Sequence, residues 1–111
     1  MLNTIIKIGE REFEVKYTNR SKATLEGLEN KTVYEIISEI VGVNGVVKIE
    51  TAVNLVYAGI KYAEKGNVTR DEIYDLLPQS TLDIAKIVIE FFNVLFEDSG
   101  LSNFKEKKAG K

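Results

Sequence analysis

Residues 4–17 read TIIKIGEREFEVKY. Ile6, Ile8, Phe13, Val15 and Tyr17 can share one face, with Lys7, Glu12, Glu14 and Lys16 opposite. Period-two alternation of this kind is the signature of half-buried strands. Gly9-Glu10-Arg11 supplies a glycine-containing turn between them. The stretch therefore predicts a β-hairpin over 4–17. A lone hairpin is marginal in water, so its apolar face must cover helices or pair with another chain.

Beyond Thr18 the period changes to that of helices, making the chain α+β and mostly α-helical. Ser21 or Asn19 can cap a short helix over about 20–28, weakened by Gly27. Thr32 and Glu35 form a capping box ahead of Val33, Ile36, Ile37, Ile40 and Val41, a helical stripe over about 32–41 that stops at Gly42. VNGVV is a turn or loop. A third helix follows over about 48–65, with Ile49, Ala52, Val53, Val56, Ile60 and Ala63 as its inner stripe and Gly66 as its stop. Thr69 and Glu72 cap a short helix over about 69–77 that ends before Pro78. Ser80 and Asp83 then cap a long apolar helix over about 80–97. This makes one globular domain over 1–100, a hairpin and about five helices, with a flexible basic tail over 101–111.

Bulk properties narrow the chemistry. The 111 residues suit one domain. Net charge is −2, and the body without its Lys-rich tail is more acidic still. A nucleic-acid domain shows a basic face, so nucleic acid is not an expected partner. The chain contains no cysteine and no histidine. That removes disulfides, thiolate metal sites, cysteine nucleophiles and the commonest general base near neutral pH. There is no signal-peptide pattern at the N-terminus and no apolar run long enough to span a bilayer. A cytoplasmic protein without a membrane segment is expected.

Candidate chemical sites have plainer explanations. Asp71, Glu72 and Asp75 cluster at a helix start, where acidic residues complement the helix dipole. NVTRDEIYDLL lacks the alternating ligands of a calcium loop. VGVNGVV lacks both the Gly-Lys-Ser/Thr ending and the GxGxxG spacing of phosphate loops. Ser21, Ser38, Ser80, Ser99 and Ser102 have no visible activating base. Tyr34, Tyr57, Tyr62 and Tyr74 sit at helical spacings that suit the edge of a core. Lys105, Lys107, Lys108 and Lys111 read as a solubilising tail. Neither an enzyme, a metal nor a cofactor is expected.

The last helix carries the least ordinary segment, LDIAKIVIEFFNVLF at 82–96. On a helical wheel its polar residues, with Glu97, occupy an arc of about 80°, leaving about 240° apolar. A surface helix needs an apolar stripe of only somewhat over 100°. Either this helix is central, wrapped by the others, or part of its face awaits a partner. Ile84, Val88, Phe92 and Leu95 form the centre of the apolar arc and are assigned to the core. Ile89 and Phe96, with Phe92 shared, are the candidate partner-binding flank. Leu55 and Tyr62 flank the inner stripe of the third helix in the same way.

The order of elements carries a resemblance. A hairpin leads to a short helix with the pair Leu25-Glu26. An amphipathic helix follows, then LVYAGIKYA at 55–63, VTRDEIYDLL at 68–77 and a long apolar helix. This order, over roughly 4–96, resembles the tail assembly chaperones of long-tailed bacteriophages and gene transfer agents. The departures are Gly27 directly after the Leu-Glu pair and the VGVNGVV loop. The resemblance implies a non-enzymatic protein acting in the cytoplasm of a bacterial host during tail building. It would bind the apolar, helical tape measure protein, help recruit tail tube subunits and be absent from the mature particle. In that family a ribosomal frameshift often yields a longer form, and the Lys-rich end suits the short one. The alternative is a head–tail joining or tail completion protein, which would persist in the virion. Self-association is an open expectation, since hairpin and helix both carry apolar surface.

Overall fold

The computed structural model describes residues 4–63 and 67–101. The expected stop at Gly66 and the basic residues 105–111 lie outside them. Strands β1 (Thr4–Ile8) and β2 (Arg11–Val15) are followed by helices α1 (Asn19–Glu29), α2 (Val33–Gly42), α3 (Ile49–Lys61), α4 (Arg70–Leu76) and α5 (Thr81–Asp98).

The hairpin has the alternation its sequence dictates. Ile6, Ile8, Phe13, Val15 and Tyr17 are all buried, and Lys7, Glu12 and Lys16 are exposed. β1 and β2 pair antiparallel, with Ile8 opposite Arg11 and Thr4 opposite Val15. Gly9 and Glu10 alone make the turn. Gly9 has φ +63° and Glu10 does not share the positive φ, the pattern of a type II′ turn whose twist matches the strands. Arg11, beside the turn, lies over the inner face, its guanidinium 4.9 Å from the Phe13 ring centroid.

Capping explains most helix starts. Thr32 with Glu35 and Thr69 with Glu72 form reciprocal capping boxes, and the Ser80 hydroxyl accepts the Asp83 N–H. The cap of α1 is a correction. Thr18, not Ser21 or Asn19, occupies the N-cap, and Ser21 at the third helical position completes the box from a buried site. α1 ends on Asn30, held at φ +57°, a left-handed cap that asparagine tolerates. α3 ends at Lys61, short of the expected Lys65. Its last turn tightens, the Ala63 N–H donating to Ile60 O at 3.0 Å.

One core cluster takes residues from all seven elements. Its central member is α3, which packs against α1, α4, α5 and β2. Thr51 through Val56 and Ala58 through Ile60 are buried, almost the full circumference of the helix. α5 packs against α3, α2 and β1 and keeps a solvent side. Of the two places offered to the long apolar helix, it takes the one with part of its face open. Val41 and Ile49, expected inside, lie at the end of α2 and the start of α3 and are exposed, since no described element covers them.

Candidate functional site

On α5 the buried residues are Ile84, Ala85, Val88, Phe91 and Leu95. At 100° per residue they form a stripe of about 120°, half the apolar arc. Phe91 therefore replaces Phe92 in the centre of the core. Phe92 and Phe96 are half-buried on the stripe's edge, with ring centroids 5.7 Å apart and planes tilted by 31°. Further round lie Ile89, 38% exposed, and Leu82, 69% exposed. One edge of α5 thus runs from half-buried rings to open aliphatic side chains.

The turn between α2 and α3 continues this surface. Asn44 and Gly45 have φ of +55° and +84°, and the Gly45 N–H closes the end of α2 on Ile40 O at 3.0 Å. Gly45 is buried against α5. A Cβ there would stand 2.8 Å from Ile89 Cδ1 and 3.2 Å from Ala85 O, so only glycine permits this approach. Val43 and Val46 flank the contact and are exposed, Val46 by 46%. Val41, Val43, Val46 and Ile49, in and beside the turn, are exposed, as are Ile89 and Leu82 on α5; the approach of Gly45 to Ile89 brings the turn against that edge of the helix. Sequence reasoning passed over Val43, Val46 and Leu82. The available signal was the valine content of VGVNGVV, unusual for a loop that enters no strand.

The other expected contact residues are placed differently. Leu55 is 0% exposed and lies in the core. α3 is enclosed on the side where a partner surface was expected, so Leu55 is not available to a partner. Tyr62 is half-buried at the end of α3; its hydroxyl shares a 3.0 Å hydrogen bond with Thr24 of α1, and Lys61 Nζ lies 5.4 Å from its ring centroid. Its polar end is committed to holding α1 on α3.

Polar groups elsewhere mainly join helices. Glu29 accepts from Thr51 Oγ1 at 3.0 Å and Asn54 Nδ2 at 2.6 Å, and Asn54 Oδ1 accepts from Arg70 Nε at 2.9 Å. This chain ties α1, α3 and α4 across the buried Asn54. A cleft of about 410 Å³ between α1, the start of α2 and the end of α5 is lined by Lys22, Glu26, Tyr34, Ser99 and Leu101, among others. Two of its polar walls are already used: Lys22 Nζ donates to Asp98 O, and Glu26 accepts the Val33 N–H. Leu101, expected in a free tail, packs on the core.

Tyr17 has a pKa well above its usual range, raised by burial first and by the Asp98 carboxylate second. Lys31 is raised by its hydrogen bond to Glu39. Both belong to packing or surface pairs. The residues behind the family resemblance also have local roles. Leu25 is core, Glu26 caps α2, Gly59 receives Tyr17, and Thr69 with Glu72 starts α4. No described helix is long and apolar enough to cross a membrane. No protein-family model, curated protein or solved structure matches this chain.

Proposed function

We propose that this protein is a tail assembly chaperone that holds an apolar helix of the tape measure protein and helps recruit tail tube subunits around it. The observation that carries the reading is the exposure of Leu82 and Ile89 on α5 and of Val43 and Val46 in the turn whose Gly45 lies against Ile89. Exposed apolar side chains along a helix edge and the turn beside it offer an amphipathic helix a place to lay its own apolar face. Burial is favourable by about 25 cal/mol per Å², and the costs of association keep such a complex reversible. Reversibility is what a chaperone displaced by tube subunits requires. The order of elements adds the family resemblance, and the absence of histidine and cysteine from the sequence agrees with a binding role.

The test is co-purification with the tape measure protein encoded in the same genome. Wild type is expected to retain it, and Leu82→Asp or Val46→Asp to release it while melting as wild type does. A wild-type protein that fails to hold the tape measure protein, or that is stoichiometric in finished tails, removes the proposal.

A further inference from the structure

We infer that β1 is a self-complementary edge through which two copies of this chain pair into a four-stranded antiparallel sheet. The inference stands apart from the proposed chaperone role. It starts from the register of the hairpin. With a two-residue turn, Ile8 and Arg11 are a hydrogen-bonded pair, and the pairs alternate from there. Ile6–Phe13 and Thr4–Val15 are bonded; Lys7–Glu12 and Ile5–Glu14 are not. The N–H and C=O groups of Ile5 and Lys7 therefore point away from β2. The same parity on β2 sends the Lys16 N–H outward, and it donates to Gly59 O of α3 at 2.8 Å. The two edges thus differ. Just past the end of β2 the chain is tied to α3 through Lys16, whereas the outward groups of Ile5 and Lys7 have no hydrogen-bond partner among the described residues. Thr4, Ile5 and Lys7 are exposed, Ile5 by 52%.

A second copy fits this edge best in the register that uses the whole strand. Placing a two-fold axis at Ile6 sets Thr4 opposite Ile8, Ile5 opposite Lys7 and Ile6 opposite its own copy. All five residues of β1 are then used, and Ile5 and Lys7 meet as hydrogen-bonded pairs that close four main-chain bonds. The side chains agree with it. On the outer face each Lys7 stands between its own Glu12 and the Ile5 of the other copy. The rows across the sheet read Glu12, Lys7, Ile5, Glu14, with no like charges directly opposite. Shifting the register by two residues one way sets Lys7 against Lys7 and shortens the ladder. Lysine on an edge strand normally blocks pairing; here it rejects the Lys7-centred register, and the opposite shift, centred on Ile5, pairs only Thr4 to Ile6 of the described strand. The arrangement is isologous and closes at two copies. Its seam is narrow compared with stable dimer interfaces, so association is concentration-dependent.

Sedimentation equilibrium of the full chain, from micromolar to millimolar, tests this. The mass is expected to rise from 12.5 kDa towards twice that value. Lys7→Pro removes one outward N–H and no hairpin bond, since proline is accepted where an edge N–H faces solvent. It is expected to stay at the monomer mass throughout. Amide exchange on the wild type gives an answer that does not need the variant to fold. The Ile5 and Lys7 amides should slow with concentration, while the Glu12 amide, outward on β2, should not. A monomer at millimolar concentration, a folded Lys7→Pro that associates as wild type does, or exchange at Ile5 and Lys7 that ignores concentration overturns the inference.

Discussion

Tyr17 joins three parts of the chain. Its backbone N–H donates to Asp98 Oδ2 at 2.8 Å, its hydroxyl donates to Leu55 O at 2.5 Å, and its ring lies over Gly59. A Cβ on Gly59 would stand 2.7 Å from Tyr17 Cζ. Gly59→Ala is therefore expected to cost about 1–3 kcal/mol, the usual range for overpacking, read as a lower urea midpoint at unchanged slope. Tyr17→Phe keeps the ring and loses the hydroxyl bond, at an expected cost of about 1 kcal/mol. Its pH dependence is more specific. The folded-state pKa of Tyr17 lies above the usual 10.0, so the folded state holds its proton more tightly than the unfolded chain. That stability is fully present below pH 10.0 and is lost as pH rises through the higher folded value. Alkaline denaturation should be shallower for Tyr17→Phe than for wild type. Alternation along the sequence places Tyr17 on the buried face of the hairpin. Its partners are 38 and 81 residues away, which no local pattern records.

At the scale of elements, α3 shows how burial and apolarity separate. Its wheel suggests a one-sided helix, because Thr51 and Asn54 read as polar flank. Both are buried, since Glu29 and Arg70 reach in from α1 and α4 to satisfy them. Asn54→Ala leaves a carboxylate oxygen and a guanidinium N–H without their partner, and is expected to destabilise by about 2–3 kcal/mol in chemical denaturation. The seat of the α2–α3 turn on α5 gives a coupling test. Gly45→Ala brings a Cβ against Ile89 and strains a φ of +84°. Adding Ile89→Ala removes the clash with that side chain but neither the strain nor the 3.2 Å approach to Ala85 O. The double variant should lose less stability than the sum of the single ones, by an interaction energy of about 0.5–2 kcal/mol. The capping boxes of α2 and α4 are legible in the sequence because donor and acceptor are three residues apart. The contact of Gly45 with Ile89 is not, because it joins two elements across the molecule.

For the whole molecule, the question is which apolar surface the core leaves unused. Leu82→Asp changes a side chain that is 69% exposed, and is expected to shift stability by no more than about 0.5 kcal/mol. Phe91→Ala removes a ring that is 0% exposed, and is expected to cost about 3–5 kcal/mol. Thermal melts of the two variants, side by side, test the division of α5 into core and surface. The hairpin and its buried face, the five helices in order, and three of the capping boxes or caps that start them are legible in the amino-acid order. These rest on periodicity and on contacts within four residues, both written in the local order of side chains. That α3 rather than α5 is central, that Phe91 rather than Phe92 fills the core, and that Leu55 is enclosed follow from how the helices pack. A helical wheel records how much of a helix is apolar. Which part of that arc is buried depends on where neighbouring helices cross it, and small residues such as Ala58 and Gly59 allow the closest approach while contributing least to the apolar pattern.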